Sequence, residues 1–193
     1  MIIVGGGIAG LSVGWRLAQR GVAVTILDAG RIGAGASHAA AGYLEPTLEP
    51  GPVSNFDWES LNAFPAFVAE LQDEARLEVD FQQKGQLRIA YGDGVESLKA
   101  EYALRCEAGW QASLINGDEA RRLEPMLSRE VAAALLLPQI TWVDGRKLCG
   151  ALSEAIRRRG GRIVEQCRVT ALIDRAGMTA GVMTEGGPVE GDG

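Results

Sequence analysis

The sequence predicts an α/β fold, a parallel β-sheet dressed with helices and interrupted by a second lobe. Three observations predict it. An apolar run, "MIIV", opens the chain and leads through "GGGIAG" into an amphipathic stretch. A β-branched run, "VAVTIL", follows and ends at an acid, Asp28. Far downstream, another amphipathic stretch leads into several short strand-like runs. Apolar runs without alternation suit strands covered on both faces, as in parallel sheets.

Taken in order, Met1–Val4 reads as the first strand, covered on both faces. Ile8–Arg20 is a helix, with Leu11, Val13, Leu17 and Ala18 at roughly helical spacing, and Gly21 ends it. Val22–Leu27 is the second strand, completing a β-α-β unit. Residues 56–77 form a helix whose apolar face is Leu61, Phe64, Val68, Leu71 and Ala75, with Pro65 starting or kinking a turn. Gly85–Tyr91 alternates like a strand, and 93–108 reads as a helix. Asp118 is placed to cap a further helix in "DEARRLE". Val131–Leu137 fits a strand or a buried helical piece; periodicity leaves both open. Asp144 caps a helix through Arg159, with Leu148, Leu152, Ala155 and Ile156 inward and three arginines in the last turn, where the helix dipole favours cations. "RIVEQ", "CRVTALID" and "MTAGVMTE" are strands, the last two a hairpin. The closing "GPVEGDG" reads as a turn-like tail.

Bulk properties exclude several classes. The 193 residues suit one domain, or one domain with an inserted lobe, and a net charge of −6 argues against nucleic acid. The longest apolar run away from the start, "VAAALLLP", is too short to cross a bilayer, so no membrane partner is expected. No signal peptide is evident. Cys106, Cys149 and Cys167 are far apart, and His38 is the single histidine. No metal site is expected, and reduced thiols point to the cytoplasm.

"GGGIAG" has the form G-x-G-x-x-G between a strand and a helix, and seventeen residues separate Gly10 from Asp28. That is the context of a dinucleotide-binding turn. Gly5 makes the tight turn. Gly7 lets backbone approach a pyrophosphate, and Gly10 lets helix pack on strand. Ile8 and Ala9 offer N–H groups at the positive end of the helix dipole. Asp28 accepts from an adenosine ribose and disfavours a 2′-phosphate. The block "RIGAGASHAAAGYLEP" then keeps side chains away from the backbone, as a long flavin dinucleotide requires. Ser37 is placed to cap a short helix there.

"IIVGGGIAGLSVGWRLAQRGVAVTILDAG", "GAGASHAAAGYLEP", "GQLRIA", "RRLEPMLS" and "VDGRKLCGAL" together resemble the flavin-dependent amine and amino-acid oxidases of the D-amino-acid oxidase family. The glycine-oxidase branch of thiamine biosynthesis is nearest. The resemblance implies a Rossmann-like FAD-binding parallel sheet with a β-meander, from residues 1–77 and 139–193. A partial substrate-domain lobe, 78–138, interrupts it, and a C-terminal half is missing. It implies FAD contacts at Ile8, Ala9, Asp28, Ala29, Ala36 and Ser37. Ala41, Gly42 and Tyr43 would lie beside the isoalloxazine ring, and Val169 would touch the adenine. Tyr43 departs from the methionine common there. His38 is not expected to be catalytic.

The implied chemistry is hydride transfer from a small amine or amino acid to flavin, with molecular oxygen as the second substrate. No catalytic residue can be named, because the arginine and tyrosine that would hold the substrate come from the absent half. Arg88 is a substitute carboxylate clamp or, more simply, a structural arginine. Two other readings stand beside this one. The chain is a non-catalytic, split module needing a partner (the missing half or another copy), or it is an NAD-dependent dehydrogenase.

Overall fold

The computed structural model describes residues 1–49 and 51–191. In chain order the elements are β1 Ile2–Val4, α1 Ile8–Gln19, β2 Thr25–Leu27, α2 Ala36–Ala39, β3 Tyr43–Leu44, α3 Pro52–Ala75, β4 Phe81–Gln82, β5 Gln86–Ala90, α4 Val95–Glu107, β6 Ser113–Asn116, α5 Gly117–Leu123, β7 Ala133–Leu137, β8 Thr141–Val143, α6 Gly145–Arg158, β9 Arg162–Val164, β10 Val169–Arg175, β11 Met178–Thr184 and β12 Gly187–Glu190. The chain is α/β with a parallel sheet, and it divides into two compact units. The first comprises Met1–Gly42, Ala66–Asp80 and the chain from Asp144 onward; the second comprises Tyr43–Pro65 and Phe81–Val143. Tyr43–Pro65 thus groups with the lobe residues.

In the first unit, β2 is the central strand of a parallel sheet ordered β1-β2-β9, with Ile3 opposite Ile26 and Ile26 opposite Ile163. The helices α1 and α6 pack on it. Leu11, Trp15, Ile26, Leu148, Leu152 and Ile156 are fully buried there. Burying such side chains contributes about 1.5–3 kcal/mol each before entropy is counted. The Asp144 carboxylate caps α6, accepting from the Arg146 and Lys147 N–H groups at 2.8 and 3.1 Å. Its arginine-rich end is a set of ion pairs, Arg158 with Glu154 and Arg159 with Glu74. The edge of Trp15 meets Phe67, and the Arg16 guanidinium stacks over Trp15 at 4.2 Å.

The second unit contains an antiparallel sheet ordered β5-β7-β6 and a smaller one ordered β3-β8-β4. Leu135, Leu137 and Ile140 are buried with Leu98, Trp110 and Ala90 in one core. A central position explains the unbroken apolar run of β7, which resolves the strand-or-helix ambiguity.

Several expectations need correction. Among the described residues β1 pairs only with β2, and Val4 is 57% exposed rather than covered on both faces. The second strand begins at Thr25, not Val22, because the chain is still ending α1: the Gly21 and Val22 N–H groups donate to Ala18 and Leu17 carbonyls. The helix α3 starts at Pro52, a residue well suited to a first turn, and runs on through Pro65. Asn116, not Asp118, caps α5, in a reciprocal capping box with Glu119. Asp118 lies inside the first turn and pairs with Arg121. The closing tail is not idle: β12 completes a β10-β11-β12 meander, with Thr184 opposite Gly187 across a tight turn. The last two residues of that tail lie outside the described residues.

Two tests follow from this packing. Asp144→Ala is expected to cost about 1 kcal/mol through loss of the α6 cap, read as a lower urea midpoint. Arg16 and Arg159 hold Glu70 and Glu74, respectively, below the usual carboxylate value. A depressed folded-state pKa gives stability that is present above the unfolded value and lost as pH falls through the folded one. Thermal stability should therefore drop as pH falls below about 4.5, the ordinary glutamate value. Arg159→Ala should flatten that drop.

Candidate functional site

The glycine-rich turn lies between β1 and α1. Gly5 has φ of +103°, a conformation that an L side chain rarely adopts, and its N–H donates to Leu27 O at 2.8 Å. A Cβ on Gly10 would stand 2.1 Å from Gly5 O, so no side chain fits between α1 and the turn. Gly7 is different. It caps α1 with extended backbone, and a Cβ there would meet only Ser37 Oγ, at 3.4 Å. The space over Gly7 is open to a ligand.

Asp28 ties this turn to the one after β2. Its Oδ2 accepts the Gly6 N–H at 2.6 Å, and its Oδ1 accepts the Gly30 N–H at 2.7 Å. Each oxygen keeps a further lone pair for a hydroxyl. Glu165 makes a parallel link, accepting the Ile32 N–H at 2.8 Å. Ala29 is exposed beside Asp28.

Ser37 departs from expectation. It is the second residue of α2, whose N-cap is Gly35, and its hydroxyl does not cap that helix. It accepts the Ile8 N–H at 3.0 Å instead, reaching across to the start of α1. No acid lies within the first turn of α1 itself; the Ser37 hydroxyl and, one residue before the N-cap, the Asp28 carboxylate meet this end of the helix. Burial pushes the neighbouring Cys149 thiol above its ordinary value, with a Ser37 hydrogen bond opposing the shift.

The structure thus brings together Gly5, Gly7, Ile8, Gly10, Asp28 and Ser37. Ala9 and Ala36 are exposed at the starts of α1 and α2. Ala41 and Gly42 lead out of α2, with Gly42 at φ of +84°. Tyr43, 55% exposed, belongs to the second unit. Val169 opens β10 at a register irregularity. His38 is exposed.

Sequence reasoning missed four close approaches. A Cβ on Gly6 would lie 2.1 Å from Ile32 Cδ1, and one on Gly14 would lie 2.9 Å from Ile26 Cδ1. Gly33, at φ of +69°, faces the Cys149 side chain, and Gly145 lies against Ser37 O. The signal for Gly14 was present, four residues after Gly10 on the same helix face.

Arg88 is fully engaged. Its Nη2 donates to both Glu45 oxygens, its Nη1 to Glu101 and its Nε to Gln86. The structural reading of this residue accounts for every donor nitrogen.

Known proteins bear on this geometry. The family described as FAD dependent oxidoreductase (DAO) matches residues 1–191. The glycine oxidase of Bacillus licheniformis is 26% identical over 179 residues, covering 91% of this chain and 47% of its own. That of Geobacillus kaustophilus is 30% identical over 172 residues, covering 86% and 46%. A crystal structure of glycine oxidase from Bacillus cereus superposes with a TM-score of 0.91 at 30% identity, over 98% of this chain and 52% of that one. The chain therefore spans about half the length of the relatives it matches.

The residues at the turn fit FAD. The open space over Gly7, the helix N-terminus with no acid in its first turn and the free lone pairs of Asp28 suit a diphosphate and a ribose. Asp28→Asn is expected to cost about 1–3 kcal/mol, because one of the Gly6 and Gly30 N–H groups would then face a donor. Urea unfolding in the absence of flavin measures it; an unchanged midpoint contradicts the role given to this carboxylate.

Proposed function

The chain belongs to the FAD dependent oxidoreductase family, and on that premise we propose that it is the flavin-binding portion of an oxidase acting on glycine or a related small amine or D-amino acid. The observation that carries the reading is the glycine turn, with Asp28 joining it to the next loop and bare backbone over Gly7. The family match and the likeness to glycine oxidases support it.

In this reading the Gly7 and Ala9 backbone meets the diphosphate, Ile8 lines the same turn with its N–H held by Ser37, and Gly5 and Gly10 hold the turn. Asp28 and Ala29 receive the ribose, and Val169 meets the adenine through its backbone. Ala36, Ser37, Ala41 and Gly42 keep bulk away from the ring, and Tyr43 lies beside it. Bound FAD supplies a hydride acceptor for oxidation of a C–N bond. The parent reaction would take a small amine or amino acid with dioxygen to an imine, then to a 2-oxo acid and ammonia, with hydrogen peroxide as co-product. A reducing, cytoplasmic setting agrees with the free thiols Cys106, Cys149 and Cys167.

Orienting an amino-acid carboxylate calls for an arginine with its fork available. Arg88 is not available, since two glutamates hold it. The 193-residue chain alone should therefore bind FAD weakly and turn over no amine.

A titration followed by flavin fluorescence and absorbance, with NAD in parallel, tests the binding. Gly7→Val should weaken FAD binding by at least about tenfold, since it fills the space offered to the diphosphate. A peroxide assay on glycine and sarcosine tests the turnover. Steady peroxide formation by the chain, or a preference for NAD, would refute the reading.

A further inference from the structure

The second unit contains a closed ring of four charges. The Glu45 Oε1 accepts from Arg88 Nη2 and from Arg105 Nη2, each at 2.6 Å. The Glu101 Oε1 accepts from Arg88 Nη1 at 2.6 Å and from Arg105 Nε at 2.7 Å. Each carboxylate thus holds both guanidiniums, and each guanidinium holds both carboxylates. The Arg105 side chain is 3% exposed and stacks over Trp110 at 4.3 Å. Its Nη1 has no hydrogen-bond partner among the described residues, so two carboxylates are all that balances a buried charge.

Three chain segments meet at the ring. Arg88 comes from β5, Glu101 and Arg105 from α4, and Glu45 from the residue directly after β3. The strand β3 is only Tyr43 and Leu44, paired with Trp142 and Thr141. Before it stands Gly42, at φ of +84°, a left-handed conformation that offers Tyr43 no side-chain support. The anchor of Tyr43 is therefore the residue two places on, Glu45.

Tyr43 is also a wall of the largest cavity described in this unit, about 630 Å³. Leu87 and Ile89 of β5 and Leu136 of β7 form another wall. Strand alternation puts Arg88 on the opposite face of β5 from Leu87 and Ile89. The ring thus grips, from behind, both the strand that forms one wall and the segment that forms the other.

We propose that the Glu45–Arg88–Glu101–Arg105 ring is a positioning device that fixes Tyr43 relative to β5 and so sets the shape of this cavity. Its consequence for flavin rests on the reading above that Tyr43 lies beside the ring system of FAD. In this proposal the four charged residues act through Tyr43.

Arg88→Met is the first variant, since Arg88 is one-third exposed and the fold should survive its loss. Arg88→Lys is the conservative partner, and Glu45→Gln is the alternative should Arg88→Met fail to fold. Asp118→Asn, which breaks an exposed pair elsewhere in this unit, is the control. Circular dichroism and the thermal midpoint establish folding. Hydrogen exchange by mass spectrometry on the flavin-free chain then follows the peptide covering 42–46. Exchange there should rise about tenfold in Arg88→Met, less in Arg88→Lys and not at all in the control. With FAD added, affinity should fall about fivefold and the visible flavin band should shift. Unchanged exchange in a folded ring variant overturns the proposal. So does raised exchange with an unaltered flavin band and affinity. Failure of the unsubstituted chain to bind FAD sinks the flavin reading instead, and the exchange result still decides whether the ring holds Tyr43.

Discussion

The structure depends on how close a helix may come to the strand before it. The helix α1 starts two residues after Gly6 and lies so near the turn that Gly10 has carbonyl oxygen where its Cβ would be. That approach places the first-turn N–H groups in a fixed direction. It would be worth little if the turn could flex. The Asp28 carboxylate prevents this by receiving one N–H from the turn and one from the loop after β2. Ser37 adds a third tie by taking the Ile8 N–H. Backbone donors are thus aimed by side chains that come from elsewhere in the sequence, and the dipole of α1 does the rest.

Much of this was legible because it is local. An apolar strand, a glycine turn, a helix and an acid at the next strand's end follow one another within thirty residues, and each has a steric reason. The Asp144 cap and the buried face of α6 were legible for the same cause. The elements that escaped are short and owe their existence to partners distant in sequence. The two-residue strands β3 and β4 carry no periodicity of their own; each exists because β8 lies between them. β6 adds to β7 in the same way. Ser37 reads as a cap by local rules, and only the placing of α2 beside α1 redirects its hydroxyl. Arg88 reads most simply as structural, but its partners Glu45 and Glu101 are not legible until α4 and the residue after β3 bring them to it.

The two units use charge differently. In the first, exposed pairs such as Arg158–Glu154 decorate a helix end and contribute little individually. In the second, a buried guanidinium is matched by two shared carboxylates. Desolvation makes such an arrangement costly to break and only weakly stabilising to keep, so its value is geometric.

Two sheet margins of the first unit also differ. Pro188 occupies the outer strand of the meander, where it lacks the N–H that a newcomer strand would need. β1 has no such guard, and apolar Met1, Ile2 and Val4 line a groove with Leu172 and Val182. Growth of the polypeptide into larger particles is thereby blunted at one rim and invited at the other. Lysine or proline introduced in β1 would give that rim the guard that Pro188 gives the other.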